Sequence, residues 1–535
     1  MAYNIADLFE HAVDKFPDRK ALACGDELRS FAELEARANR LAHHLAARGV
    51  GTGSHVGMCL RNSVEAIETM LAVYKLRAVL INVNFRYTAR EMRYVLENAD
   101  VVAVVYESRF APQVQEAAAG LALITHLLEV GGGAHYEAAL AAASPERDFG
   151  ERSGDDLYIL YTGGTTGMPK GVMWRHEDVW RTLGGGINFV TGEPLPDEWA
   201  QSGMGELTGG LTRLCLAPLI HGNAQWAALM ALFSGDPVVL LTHFDPHDAW
   251  RAIERHKVNV VVLIGDAMAR PIIEAYVDKQ YDASSVFAIS SSAALFSQSV
   301  KNQVLEALPN AVLTDSLGSS ETGFMGMGMI TKDAPPAGGG PRITLNADSI
   351  VIDEDDRPIP PGDERIGRLA RGGHIPLGYY KDEERTGRLF VEVDGRRYTV
   401  PGDFARHEPD GTITLLGRGN TCVNTGGEKV FPEEVEEALM SHPDVFDVLV
   451  IGLPDETLGQ RVAAVVELRP GAGTDAHALV AHARTGIAGY KVPKSIWFVD
   501  KVHRLATGKA DYRWAGEHAT AHPQEDACAP ASATS

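Results

Sequence analysis

The sequence predicts an α/β protein. A large N-terminal domain of mainly parallel sheets with flanking helices and a β-rich subdomain is followed by a small α+β C-terminal domain. Three observations predict this. Segments with apolar residues at helical spacing alternate with short, continuous β-branched runs, the pattern of strands covered on both faces. From about residue 343 the texture changes to short extended pieces bounded by turn residues. After Gly417-Arg418-Gly419-Asn420 a new, compact α+β pattern begins. A chain of 535 residues exceeds what one core fills, so two or more domains are required.

The elements follow in order. Ile5, Leu8, Phe9, Ala12 and Phe16 fall on one helical face. Ser30-Phe31-Ala32-Glu33 is a capping box opening a helix that carries Leu34, Leu41 and Leu45 and stops at Gly49. Val101–Val105 is a buried strand. The alternation recurs as helix Trp226–Phe233, strand Val238–Leu241, helix Ala249–His256, strand Val258–Ile264 and strand Val286–Ser290. Asp353-Glu354-Asp355-Asp356, Pro360-Pro361-Gly362-Asp363 and Asp410-Gly411 punctuate the β-rich part. Pro432 marks a helix start, followed by Val435, Leu439 and strand Val448–Ile451. The boundaries read as residues 1–417, a hinge at 418–420, a C-terminal domain over 421–515 and an Ala/Ser/Pro-rich disordered tail over 516–535. No internal repeat is found.

Composition excludes more than it assigns. The net charge of −22 and the lack of a basic run argue against a nucleic-acid partner, although a few local cations can still hold a small polyanion. Cys24, Cys59, Cys215, Cys422 and Cys528 are scattered and never spaced as C-x-x-C, which argues against a disulfide framework or a zinc site. The N-terminus mixes Asp, Glu and His among its apolar positions, unlike a signal peptide. The longest apolar runs, such as Asn259–Gly265, are strand-length and too short for a membrane span. A soluble, cytoplasmic protein is expected.

Tyr161-Thr162-Gly163-Gly164-Thr165-Thr166-Gly167-Met168-Pro169-Lys170-Gly171 follows the apolar strand Leu157–Leu160. Its glycines expose backbone N–H groups, and threonine hydroxyls and one lysine complete the chemistry a polyphosphate needs. The spacing does not fit a Walker A loop. The segment closely resembles the phosphate loop of the adenylate-forming superfamily, which includes acyl-CoA synthetases, firefly-type luciferases and adenylation domains of peptide synthetases. Gly163 stands where that family usually has Ser. The Gly163 variant and the Met173-Trp174 extension make the loop most similar to actinobacterial fatty-acyl and steroid side-chain acyl-CoA synthetases.

Further fragments match the family in order, from residue 5 to 514. Asp315-Ser316-Leu317-Gly318-Ser319-Ser320-Glu321 resembles the segment in which a hydroxyl, here Ser320, meets phosphate and a carboxylate, here Glu321, holds Mg²⁺. Leu317 replaces the usual aromatic beside adenine. Ser291-Ser292-Ala293-Ala294 resembles the strand end lining adenine's other side, through Ser292 and Ala293. Tyr398–Asp403 resembles the Gly-Asp motif whose carboxylate, here Asp403, grips the ribose, with Arg418 as its companion. Ala506-Thr507-Gly508-Lys509 resembles the loop whose lysine bridges the substrate carboxylate and α-phosphate. The resemblance thus implies an ATP site of Thr162, Gly163, Gly164, Thr165, Thr166, Gly167, Lys170, Ser292, Ala293, Asp315, Ser316, Leu317, Ser320, Asp403 and Arg418.

Activating a carboxylate brings two anions together, so the site must neutralise charge and align the groups. Lys509, Glu321 and His221 are the implied catalytic residues, with Mg²⁺ on Glu321. In the family the mobile C-terminal domain then swings and presents a pantetheine tunnel, here beside Gly426 and Gly427, to CoA. Asn420 and Thr421 depart from the charged residues usual at that hinge. Leu216–Trp226 is expected to line the acyl pocket, with His221 at its gate. Gly184-Gly185-Gly186 and Gly209-Gly210 either leave room for a bulky acyl group or are loop glycines.

The expected activity is ATP-dependent acyl-CoA synthesis from a medium- or long-chain fatty acid or steroid side-chain acid, with ATP, Mg²⁺ and CoA as cofactor and co-substrates. The alternatives are loading of a carrier protein and nucleotide binding without turnover. A homodimer is among the assemblies considered.

Overall fold

The computed structural model describes residues 3–133, 135–164, 167–188, 193–294, 296–333, 341–419, 421–425, 428–455, 458–505 and 509–522. The continuous β-branched runs become parallel strands buried on both faces. In the larger sheet Lys20–Cys24, Val238–Leu240, Arg213–Cys215, Val260–Leu263, Ala288–Ser292 and Val312–Ser319 run parallel in that spatial order. A second, wholly parallel sheet has the order Val79–Asn82, His55–Cys59, Val101–Glu107, His126–Val130. Between them packs the helix Val64–Lys75, which touches strands of both sheets and whose Ala66, Ile67, Met70 and Leu71 are fully buried. The capping box at Ser30 forms, with Ser30 Oγ accepting from the Glu33 N–H and Glu33 accepting from the Ser30 N–H at 2.8 Å.

The β-rich part is an extension of the large sheet. Val312–Ser319 pairs antiparallel with Gly323–Ile330, which passes the ladder to Arg342–Leu345 and then to Ile413–Arg418. Gly326 and Gly328 make this junction feasible, because a Cβ at either would run into the carbonyl oxygens of Thr344 or Arg342. The helix Glu383–Leu389, capped by Asp382, interrupts the antiparallel run.

The C-terminal part builds a five-stranded sheet of its own from Glu428–Val430, Val423–Thr425, Gly459–Leu468, Val445–Asp455 and Ser495–Val499. One face packs Val448, Val450 and Val466 with Val435, Leu439 and Leu479 from the helices Pro432–Met440 and Ala476–Ala483. The other packs Leu449, Ile451 and Trp497 against Ala515 and Ala519. Those alanines belong to the helix Tyr512–Ala521, which corrects the expected tail: residues 516–521 are ordered helix. Its buried face consists of alanines, too weakly apolar to stand out as a periodic pattern. The remainder of the expected tail, residues 523–535, lies outside the described residues. No helix among the described residues is long and apolar enough to cross a membrane.

Candidate active site

The phosphate-loop sequence closes a β-hairpin. Strand Leu157–Gly164 pairs antiparallel with Gly167–Arg175, in register Thr162↔Lys170 and Gly164↔Gly167. Thr165 and Thr166 lie outside the described residues. A buried amide that sequence reasoning missed holds the hairpin in place. Asn82 ends a strand of the parallel sheet, where it donates to the carbonyls of Tyr161 at 2.8 Å and Ile220 at 2.7 Å and accepts from the Tyr161 N–H. One side chain thus ties the phosphate loop to the segment that carries His221. The only signal in the sequence was a polar residue closing the apolar run Val79-Leu80-Ile81.

The hairpin also grips the Ser320-Glu321 turn. Trp174, fully buried, donates its indole N–H to the Ser320 carbonyl at 3.0 Å. Tyr379 donates its hydroxyl to Glu321 Oε1 at 3.0 Å, and the Lys170 ammonium stands 4.8 Å over the Tyr379 ring. Among the described residues no cation pairs with Glu321, and its Oε2 accepts no hydrogen bond. A carboxylate oxygen left open in this way suits Mg²⁺, which is held by one or two carboxylates together with substrate phosphates.

Ser292, at the carboxyl end of its strand, pairs in register with Ser316 of the adjacent parallel strand, and its hydroxyl is buried without a partner among the described residues. Ala293 takes the left-handed conformation at φ 66°, costly for a residue with a Cβ. At two of the expected nucleotide positions the side chain has a protein partner. The Asp315 carboxylate pairs with the Lys301 ammonium, and burial pushes its pKa up. Leu317 packs with Met325, Ile343 and Ile413 in the core of the antiparallel region. Asp403 and Arg418 face each other across one antiparallel pair. Gly426 and Gly427 lie outside the described residues.

His221 caps the Gly222–Phe233 helix with extended backbone, but its imidazole makes no cap bond and its Nε2 is buried without a partner among the described residues. Burial pushes its pKa down to about 4, and the ammonium of Lys509 and the guanidinium of Arg86 act in the same direction. His221 is therefore neutral at physiological pH, and a cation from the C-terminal domain stands close enough to be felt there. Arg86, placed just beyond the Val79–Asn82 strand, went unread in the sequence. Leu216, Ala217, Leu219, Ile220 and Trp226 are all buried along the expected acyl segment, and the Asn223 side-chain N–H₂ is buried without a partner among the described residues. The glycine run 184–186 leaves less room than its composition allows. Gly185 lies against Gln201 and Met230, and Gly209 is the left-handed stop of the Ala200–Thr208 helix, with Gly210 packed beside Arg19. These are turn and packing glycines.

Residues 9–380 match the family model of the AMP-binding enzymes, and residues 434–509 match that of the AMP-binding enzyme C-terminal domain. The chain is 52% identical to a 3-oxocholest-4-en-26-oate–CoA ligase of Rhodococcus rhodochrous, with 98% of each chain covered. It is 50% identical to a medium/long-chain-fatty-acid–CoA/3-oxocholest-4-en-26-oate–CoA ligase of Mycobacterium tuberculosis, again over 98% of each. Among solved structures, ATP-bound MatB from Rhodopseudomonas palustris superposes with a TM-score of 0.82 at 26% identity, covering 96% of this chain and 99% of that one. With the phosphate hairpin, the Ser320-Glu321 turn and Lys509 in the family's order, the chain belongs to the AMP-binding enzyme family.

Proposed function

We propose that this protein is an ATP-dependent acyl-CoA synthetase acting on medium- or long-chain fatty acids or steroid side-chain acids. In the first half-reaction a carboxylate oxygen attacks the α-phosphorus of ATP and the bond to pyrophosphate breaks. In the second, the CoA thiolate attacks the acyl carbon, the mixed-anhydride C–O bond breaks and AMP leaves. The observation that carries the reading is the grip of the phosphate hairpin on the Ser320-Glu321 turn, through the Trp174 indole and the Tyr379 hydroxyl. Lys509, whose charge contributes to lowering the His221 pKa, would supply a cation where carboxylate and phosphate meet.

The residues divide the work by their chemistry. Lys509 supplies a compact positive charge to the two anions. Neutral His221 and Asn223 border the acyl segment with unspent hydrogen-bonding groups. Lys170 and the hairpin backbone hold the phosphates, and the partnerless Ser292 hydroxyl and Asp403 serve the nucleoside end. Glu321 would hold Mg²⁺, which when bound screens the phosphates and favours pyrophosphate departure. The lipid class is supported by the names of the relatives near half identity and by the buried lining Leu216–Trp226. Each buried methylene contributes about 0.8 kcal/mol, so a long or fused-ring acid can be selected by apolar area. A cytoplasmic setting is supported by Cys24, Cys59 and Cys215, which are buried as free thiols.

The test is pyrophosphate release and CoA-thioester formation across a series running from acetate through medium- and long-chain acids to sterol side-chain acids. kcat/KM should rise with apolar area and thioester should accumulate with CoA. A preference for acetate, or adenylate without thioester, would overturn the reading.

A further inference from the structure

Tyr379 lies outside the fragments singled out in the sequence, yet it touches two groups that the proposed reaction needs in register. It belongs to the short strand Gly378–Tyr379, which pairs with the second strand of the phosphate hairpin, Tyr379↔Val172. Flanking backbone bonds fasten that pairing on both sides: Leu377 N–H to the Met173 carbonyl and Tyr380 N–H to the Gly171 carbonyl, each 2.8 Å. The Thr386 hydroxyl accepts from the Tyr379 N–H at 2.9 Å. Gly378, at φ 140°, leaves no space for a side chain against Thr386. With its backbone set this way and only 8% of its surface exposed, the ring has little freedom.

From that position the hydroxyl donates to Glu321 Oε1 and the ring face lies under the Lys170 ammonium. We propose that Tyr379 is a positioning residue that orients the Glu321 carboxylate toward the metal and keeps Lys170 in register with it. The hydroxyl occupies one carboxylate oxygen and turns the other outward, and the ring holds the lysine by a cation–π contact. Metal-bearing and lysine-bound ends of the triphosphate are thereby indexed to the same side chain. The inference rests on the reading of Glu321 as the metal-holding carboxylate.

The experiment is calorimetric titration of ATP into the full chain without acid, so that nothing turns over, once with Mg²⁺ and once with chelator. The tightening produced by Mg²⁺ is the readout. Tyr379→Phe removes only the hydroxyl, and should reduce that tightening roughly tenfold while metal-free ATP binds within about twofold of wild type. Tyr379→Leu also removes the ring face, and should weaken metal-free ATP binding several-fold as well. Glu321→Gln is the control, and should abolish the tightening and make Tyr379→Phe silent when the two are combined. If Glu321→Gln keeps the tightening, the metal reading of Glu321 is wrong, and the inference with it. If Glu321→Gln abolishes it and Tyr379→Phe retains it, Glu321 stands and Tyr379 has no positioning role. A Tyr379→Phe protein that binds metal-free ATP much more weakly also overturns the inference, because the hydroxyl would then be supporting the loop itself.

Discussion

In the proposed reaction the charge of Lys509 is needed only while carboxylate and α-phosphate are being joined; in the structure it contributes to lowering the pKa of His221. Lys509→Ala should therefore lower adenylate formation by roughly two orders of magnitude or more. Thioester formation from supplied acyl-AMP should stay near wild type. Measuring the two half-reactions separately checks this, and equal losses would assign Lys509 a structural role. Lys509, Glu321 and His221 were legible in the sequence because short neighbours fix their register: Thr507-Gly508, Ser319-Ser320 and Gly222. Asn82 and Tyr379 were not, because their partners are remote in sequence. Asn82 bonds a backbone 79 positions away, and Tyr379 a carboxylate 58 positions away. Neither spacing nor composition carries such a pairing.

At the level of elements, the helix Tyr512–Ala521 shows how a buried face can escape periodicity. Ala519 is 6% exposed against the Trp497 cluster, so Ala519→Asp would bury an unpaired charge and cost several kcal/mol. The C-terminal domain should melt at distinctly lower temperature by calorimetry, whereas an unchanged transition would mean the helix does not dock. On the opposite side of the same sheet, Glu436 is fully buried and accepts from the Val450 N–H at 2.9 Å. Burial and the nearby Glu433 push its carboxyl up to about 8. Its folded pKa is raised above the unfolded value, so its contribution to stability is complete below about 4.5 and lost as pH rises through 8. Glu436→Gln removes that proton demand. Its Tm relative to wild type should climb between pH 6 and 8.5, and a constant offset would show that Glu436 does not titrate there.

For the molecule as a whole, the position of Lys509 depends on how the C-terminal domain seats on the N-terminal one. Phe446 marks the contact. The guanidinium of Arg270, from the N-terminal helix Gly265–Lys279, lies 5.1 Å from its ring, and that of Arg469 lies 5.8 Å away and pairs with Glu274. Phe446→Ala removes the shared aromatic face, worth about 1–2 kcal/mol of docking. Adenylation should slow several-fold while thioester formation from supplied acyl-AMP is spared or enhanced. Equal slowing of both half-reactions would indicate that this contact does not favour the arrangement bringing Lys509 to His221.

By itself the sequence determined the α/β class, the separate C-terminal unit and the chemistry-bearing fragments, because each is written in local periodicity or in a few adjacent residues. The tertiary structure alone decided that the phosphate loop closes a hairpin and that the antiparallel region extends the parallel sheet. It also paired Asp315 with Lys301, packed Leu317 into the antiparallel core and set Gly184–Gly186 against Trp180, Arg181, Gln201 and Met230. The physical reason is common to all of these. A strand's pairing partner and a side chain's final contact are set by surfaces that meet only after the chain has closed loops of tens to hundreds of residues, and no local pattern records which surfaces those will be.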